Sequence, residues 1–166
     1  RFGTQEQKDR YLPGILAGED VWAIGYTEPN AGTDLASLRT RAVLDGDEWV
    51  IDGNKVYTSG AGHSDYIWLA CRTNPDVSKH AGISIIVCPT SAPGFSWTPL
   101  ETVGGNTTST TYFDTVRVPR YAITGSADGV CKLLPSQLNH ARAVLAAMRR
   151  RPRGARDVRR ARRFDG

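Results

Sequence analysis

The sequence predicts a mainly β chain, an antiparallel barrel or sandwich with short flanking helices. Between Val21 and about Ile123, seven or so short runs rich in Val, Ile, Trp, Tyr and Thr alternate with turn signals at regular intervals. Before this region Thr4 and Glu6 give a helix-start signal, and after it, from Gly129, the apolar residues change to helical spacing. With 166 residues, 40% hydrophobic and 23% charged, the chain is long and apolar enough for one domain with a real core.

The elements follow in order. Residues 4–17, "TQEQKDRYLPGILA", open with Thr4 and place Glu6 in a first helical turn, and Pro13-Gly14 is expected to break or kink that helix. "VWAIGY" is an apolar strand. "RTRAVLDGDEWVIDGNKVYTSG" holds two Asp-Gly pairs, at 45–46 and 52–53, each read as a turn between β-rich runs. "DYIWLACRT" and "GISIIVCPT" are near-continuous apolar strands joined by a polar loop at 73–82. "FSWTPLE" and "STTYFDTVRVP" both alternate, the second ending at a Pro. From Gly129 to Met148, apolar residues at 133, 134, 138, 141, 144, 145 and 148 predict a helix that must bury its apolar face against a partner. Residues 149–166 follow as an Arg-rich tail with nothing to bury, expected to be disordered.

Charge separates the tail from the rest. Of the net charge of +4, residues 149–166 carry nine Arg and two Asp (+7), and residues 1–148 carry twelve basic and fifteen acidic residues (−3). The body is therefore a poor candidate for specific nucleic-acid binding, and the tail would confer only salt-sensitive affinity. No apolar run approaches the ~20 residues of a membrane span, and the polar opening "RFGTQEQKDR" lacks a secretory signal. The Arg start predicts a fragment, and the abrupt change near Met148 has the Arg, Ala, Gly and Pro composition of an out-of-frame reading. Cys71, Cys88 and Cys131 have no metal-ligand or CxxC spacing and fit a reducing compartment. Cys71 and Cys88 lie in apolar strands and read as inert buried thiols.

Residues 25–37, "GYTEPNAGTDLAS", bear the first candidate chemistry. Gly32 lets a diphosphate approach the backbone, and Thr33 adds a hydroxyl and an N–H. Asp34 can cap a helical turn at "DLAS", whose N–H groups favour an anion. Thr27 stands where a strand ends and can reach a heteroatom of a planar ring. Composition alone favours an ordinary Pro/Gly/Asn turn with an Asp cap. A second segment, "GNKVYTSGAG", puts Tyr57, Thr58 and Ser59 at another strand end. A ring beside two hydroxyls suits a flat, polar-edged ligand. A core tyrosine followed by a Thr-Ser-Gly turn is the plain alternative. His63, His80 and His140 are isolated and read as surface or structural residues. There is no Ser-His-Asp or metal-ligand constellation.

These two motifs in order resemble the acyl-CoA dehydrogenase family. "TEPNAGTDLAS" is similar to its Thr/Ser-Glu-x-x-small-Gly-Ser/Thr-Asp signature, and "GNKVYTSGA" to its Lys-x-Trp-x-Ser/Thr segment. "GTQEQKDRYLPGILAGE" resembles the end of its N-terminal helical domain, "YFDTVRVPR" the close of its middle β domain, and "QLNHARAVL" the start of its first C-terminal helix. The resemblance covers residues 3–147. It implies that 1–20 end a helical domain, 21–125 form a β-barrel that binds flavin and acyl-CoA, and 126–148 begin a helical bundle. The implied cofactor is FAD and the implied substrate an acyl-CoA thioester of fatty-acid metabolism. In the family a carboxylate removes the α-proton, the β-hydride passes to flavin N5 and a trans-2-enoyl thioester forms. Electrons leave to an electron-transfer flavoprotein, and intact members are homo-oligomers. The implied location is the cytoplasm, or the mitochondrial matrix in a eukaryote. By position, Tyr26 and Thr27 match residues lining the flavin ring edge, and Gly32 and Thr33 the diphosphate and substrate side. Tyr57 and Ser59 match the aromatic and hydroxyl near flavin N5, with Thr58 between them.

Departures narrow the expectation. Tyr57 replaces the more usual Trp, Tyr26 a small aliphatic, and "GGNTTSTT" lacks an Arg-x-Ser pattern. The family's base is most often a Glu far along the bundle. In a minority it lies on the first C-terminal helix, at the position held here by Ala141, before Arg142. Alanine accepts no proton, and Glu28 and Asp34 read as a structural acceptor and a cap, so no catalytic residue is assigned. Three readings follow: a truncated dehydrogenase, a flavin or acyl-CoA binding module that partners an intact dehydrogenase, and a tail-mediated nucleic-acid binder.

Overall fold

The computed structural model describes residues 3–103 and 107–125. The expected helix over 129–148, the Arg-rich tail, Cys131, His140 and Ala141 lie outside the described residues.

The chain opens with helix α1 (Gln5–Ala17). Thr4 and Gln7 close a reciprocal capping box: Gln7 N donates to Thr4 Oγ1 at 3.2 Å, and Thr4 N to Gln7 Oε1 at 3.0 Å. Of the expected break or kink at Pro13-Gly14 there is no break: the helix runs through Pro13 and ends at Gly18 in the left-handed region. Tertiary contacts offset the missing N–H of Pro13. Gln7 Nε2 donates to Tyr121 O (2.6 Å) and Ile123 O (2.7 Å). The buried Tyr11 packs edge-on against both Trp22 and Tyr66 at 5.3 Å.

Eight strands follow: β1 (Trp22–Gly25), β2 (Arg41–Asp45), β3 (Glu48–Lys55), β4 (Tyr66–Arg72), β5 (Ile83–Pro89), β6 (Phe95–Leu100), β7 (Thr108–Pro119) and β8 (Ile123–Thr124). They form one mainly antiparallel sheet in the order β6-β7-β3-β2-β4-β5-β8, with β1 paired to β4. The hydrogen-bonded path is not closed, so the expected barrel is an open sheet among the described residues. Strand β4 explains the geometry. Its Tyr66–Leu69 stretch is taken by β1, in parallel, which leaves β2 a single parallel pairing at Arg41 and Arg72.

The two Asp-Gly pairs have different fates. Gly46, with φ +61°, turns the two-residue loop between β2 and β3, as expected. Asp52-Gly53 does not turn. Strand β3 continues through it, and β7 bulges opposite instead, since Ile51 pairs with Val116 and Gly53 with Phe113. Thr115 takes a left-handed φ of +55°, and its N–H donates to Asp52 Oδ1 at 2.9 Å. The extra residue shifts the phase of β7. Ser109, Thr111 and Phe113 face inward before the bulge, Val116 and Val118 after it. Strand β6 does not alternate: its four central residues are exposed, as befits an edge strand carrying Pro99.

The core gathers Ile67, Leu69 and Cys71 of β4, Ile86 and Cys88 of β5, and Phe113, Val116 and Val118 of β7. Strand β5 is buried along Ile83–Cys88, in keeping with its continuous apolar text. Cys71 and Cys88 are both buried, and burial pushes the Cys71 thiol up to about 12 and the Cys88 thiol above its ordinary range.

Candidate functional site

The two motif segments meet side by side. Strand β1 stops at Gly25, and the chain continues through Tyr26 and Thr27 to a tight turn at Pro29-Asn30. Glu28 and Ala31 close that turn by exchanging backbone bonds of 3.0 and 3.1 Å. Strand β3 stops at Lys55, and the N–H of the next residue, Val56, donates to Thr27 O at 2.8 Å. The strand ends that carry Thr27 and Tyr57 are thus directly bonded.

Tyr57 is the conformational outlier of this region. Its φ is +59°, which costs an L-residue on the order of 1–3 kcal/mol, and its side chain is 68% exposed. Neighbouring bonds enforce the kink. Thr58 N donates to Ser109 O (2.9 Å) and Ser59 N to Tyr57 O (3.0 Å). Ser59 is exposed, with its hydroxyl 3.2 Å from that of Thr108. Thr58 is fully buried, its hydroxyl 3.3 Å from that of Thr111. The structure therefore presents Tyr57 and Ser59 outward and turns the Thr58 side chain into the sheet.

Gly32 and Thr33 are exposed, beyond the Glu28–Ala31 turn. The expected helix start at Asp34 is a three-residue 3₁₀ turn, Leu35–Ser37, and Asp34 makes no side-chain cap. Its carboxylate is drawn elsewhere: Lys79 Nζ lies 2.8 Å away and the Ser37 hydroxyl donates to the same oxygen. Hydrogen bonds from Lys79 and Ser37 hold its carboxyl below the usual range. Arg72 braces this loop against the 73–82 loop, donating to Ala36 O (2.6 Å), Lys79 O (3.0 Å) and Ala81 O (2.8 Å).

Beneath the paired strand ends lies a buried ion pair. Lys55 Nζ is 2.9 Å from Glu28 Oε1 and donates to Tyr26 O at 3.1 Å. The Glu28 carboxylate also accepts from Thr40 N (2.8 Å) and Arg39 N (2.7 Å). Burial alone would raise the Glu28 carboxyl, but the Lys55 charge and the bonds from Lys55 and Thr40 hold it below its ordinary value. Burial lowers the Lys55 ammonium, although the charge of Glu28 and its hydrogen bond favour the charged form. Glu28 is thus a structural acceptor, as its sequence context suggested. Lys55 is the residue that sequence reasoning passed over. Its signal was in the alternation of β3, which places position 55 on the inward face with Trp49 and Ile51. An inward lysine requires an acid.

An exposed aromatic ring in a strained conformation, with the Ser59 hydroxyl exposed two residues on and the next strand end bonded through Val56 to Thr27, can stack on a flat ligand and bond its polar edge. The described residues fit a flavin in this sense. His63 and His80 are exposed. Among the described residues no helix is long and apolar enough to cross a membrane.

Comparison with known proteins identifies the family. Residues 23–116 match the family model described as acyl-CoA dehydrogenase, middle domain. Acyl-CoA dehydrogenase FadE29 of Mycobacterium tuberculosis is 53% identical over 144 residues, 86% of this chain and 37% of FadE29. The solved structure of the Tcur3481-Tcur3483 steroid ACAD superposes with a TM-score of 0.86 at 63% identity, covering 88% of this chain and 38% of that one. The ChsE4-ChsE5 complex from Mycobacterium tuberculosis superposes with a TM-score of 0.79 at 53% identity, covering 84% of this chain and 36% of that one. The chain spans about 37% of the length of the curated relatives it matches. With more than half of its residues matched in collinear order to the middle-domain model, the chain belongs to the acyl-CoA dehydrogenase family.

Proposed function

We propose that this chain forms the flavin-facing wall of an FAD-dependent acyl-CoA dehydrogenase and carries no catalytic base of its own. The observation that carries this reading is the bonded pair of strand ends, Thr27 to Val56, with Tyr57 held exposed beside it. Tyr57 would stack on the isoalloxazine and Ser59 would bond near its N5. Tyr26 and Thr27 would line the ring edge, Thr58 would support the segment from within, and Gly32 and Thr33 would face the diphosphate and the substrate. When bound, the flavin supplies the hydride acceptor for α,β-dehydrogenation of the thioester. The chain's part is to bind and orient; the proton acceptor comes from outside the described residues. A cytoplasmic location and electron delivery to an electron-transfer flavoprotein complete the reading.

The 63% identity to a protein described as a steroid ACAD supports a bulky, steroid-derived acyl group over a straight chain. A second reading, a non-catalytic subunit beside an intact dehydrogenase, is favoured by the two-protein description of the ChsE4-ChsE5 complex. Absorbance of the purified chain mixed with FAD tests the first reading. A perturbed flavin band is expected, together with no turnover of acyl-CoA. A free-flavin spectrum, or full-rate dehydrogenation by these 166 residues, would overturn it. Co-purification with a full-length dehydrogenase would select the second.

A further inference from the structure

We propose that Lys55 and Glu28 are positioning residues for the flavin-facing wall, holding the 26–28 segment and the chain that follows the end of β3 at Lys55 in one register and thereby placing Thr27 and Tyr57. The proposal rests on the function proposed above.

The pair stands where three segments converge. Lys55 reaches back across the strand ends to Tyr26 O and Glu28, and Glu28 reaches on to the N–H groups of Arg39 and Thr40, just before β2. Both carboxylate oxygens are engaged, and neither side chain is accessible beyond 7%. Removing two charges from water costs about as much as their attraction returns, so a buried ion pair is a poor device for stability alone. An apolar pair of similar volume would fill the space as well. What it would not do is fix direction. Lys55 and Glu28 together specify which carbonyl and which two amides face each other.

Register matters here because side chains alternate. Lys55 faces in, and the left-handed kink at Tyr57 leaves Tyr57 exposed and Thr58 buried. A slip of one residue at Lys55 would exchange the inward and outward side chains of this strand end. The Val56 to Thr27 backbone bond would then no longer seat Tyr57 beside the turn. Lys55 Nζ bonds Glu28 and Tyr26 O, and the nearby Cys71 thiol is neutral at physiological pH.

The test compares the 166-residue chain with Lys55→Met, Glu28→Gln and the double variant. Site-resolved amide hydrogen exchange is measured without flavin, alongside denaturant unfolding, and FAD is then titrated by absorbance. The double variant leaves no unpaired charge, and it is expected to keep a cooperative transition. Its amides at Arg39, Thr40 and Val56 should exchange at least tenfold faster than in the parent, and the flavin-band response should need at least tenfold more FAD. A folded double variant with parental exchange at these amides overturns the proposal. So does a variant whose exchange changes while its flavin response does not. If the parent chain gives no flavin response, the flavin-wall reading falls, and the exchange data alone decide whether the pair sets the register.

Discussion

Gly53 lies so close to Thr40 that a Cβ placed on it would sit 2.7 Å from the Thr40 Cα. This approach seats Thr40 where its N–H donates to Glu28 and its hydroxyl to Asn54 O. Gly53 also holds a φ of +146°, which other residues rarely adopt. Gly53→Ala is therefore expected to destabilise the chain by about 3 kcal/mol or more through overpacking and backbone strain together. Urea denaturation measures it, and a loss under about 1 kcal/mol would show that β2 and β3 can part without penalty.

Tyr57 should show the opposite balance. Its exposed ring contributes little packing, and its left-handed backbone suits glycine. Tyr57→Gly is expected to leave stability unchanged or raise it by up to about 1 kcal/mol. The same change should weaken the flavin-band response at least tenfold. A large stability loss would mean that the ring serves packing rather than ligand contact.

Acid should loosen the loop. The Glu28 and Asp34 carboxyls both titrate below their ordinary values of 4.5 and 3.8. A depressed carboxyl contributes stability that is fully present above its unfolded value and lost as pH falls through the lower folded one. The urea midpoint should thus decline from about pH 5 downward, mostly through Glu28, because the exposed Asp34 pair is screened by solvent. Glu28→Gln should flatten that decline. A profile as steep in the variant as in the parent would assign the acid sensitivity to other groups.

Gln7 ties α1 to the sheet and caps the helix with the same side chain. Gln7→Ala should cost about 2 kcal/mol, from a lost capping partner and two unmade bonds to backbone carbonyls. Thermal unfolding of the variant would register it. An unchanged melting temperature would show that the aromatic contacts of Tyr11 suffice to dock the helix.

Cys71 and Cys88 should resist thiol reagents until the chain unfolds, since burial both shields them and disfavours the thiolate. Peptide mapping after labelling, with and without denaturant, separates these two from Cys131. Rapid native labelling of Cys71 would contradict a closed core around Lys55.

Much of this was legible because it is local. Alternating and continuous apolar runs marked the strands, Gly46 marked its turn, and Thr4 marked the helix start. The loop carrying Gly32 and Thr33 and the strand end carrying Tyr57 stood out by composition and order. What misled was also local. Asp52-Gly53 has the text of a turn but serves a bulge, because the neighbour that demands a glycine is Thr40, thirteen positions earlier. Pro13 has the text of a break, yet contacts of Gln7 and Tyr11 with distant residues carry the helix through it. Asp34 has the text of a cap, but Lys79 claims its carboxylate.

The sequence by itself determined most of the strands and the family, and it singled out candidates for meeting a flat ligand, because period, turn chemistry and motif order are properties of neighbouring positions. Only the tertiary structure decided that Thr27 and Val56 are bonded, that Thr58 turns inward while Tyr57 stays out, and that Lys55 lies buried on Glu28. Those outcomes depend on pairings between segments far apart in the chain. There the need to satisfy buried charge and backbone groups selects one register among several that the local pattern allows.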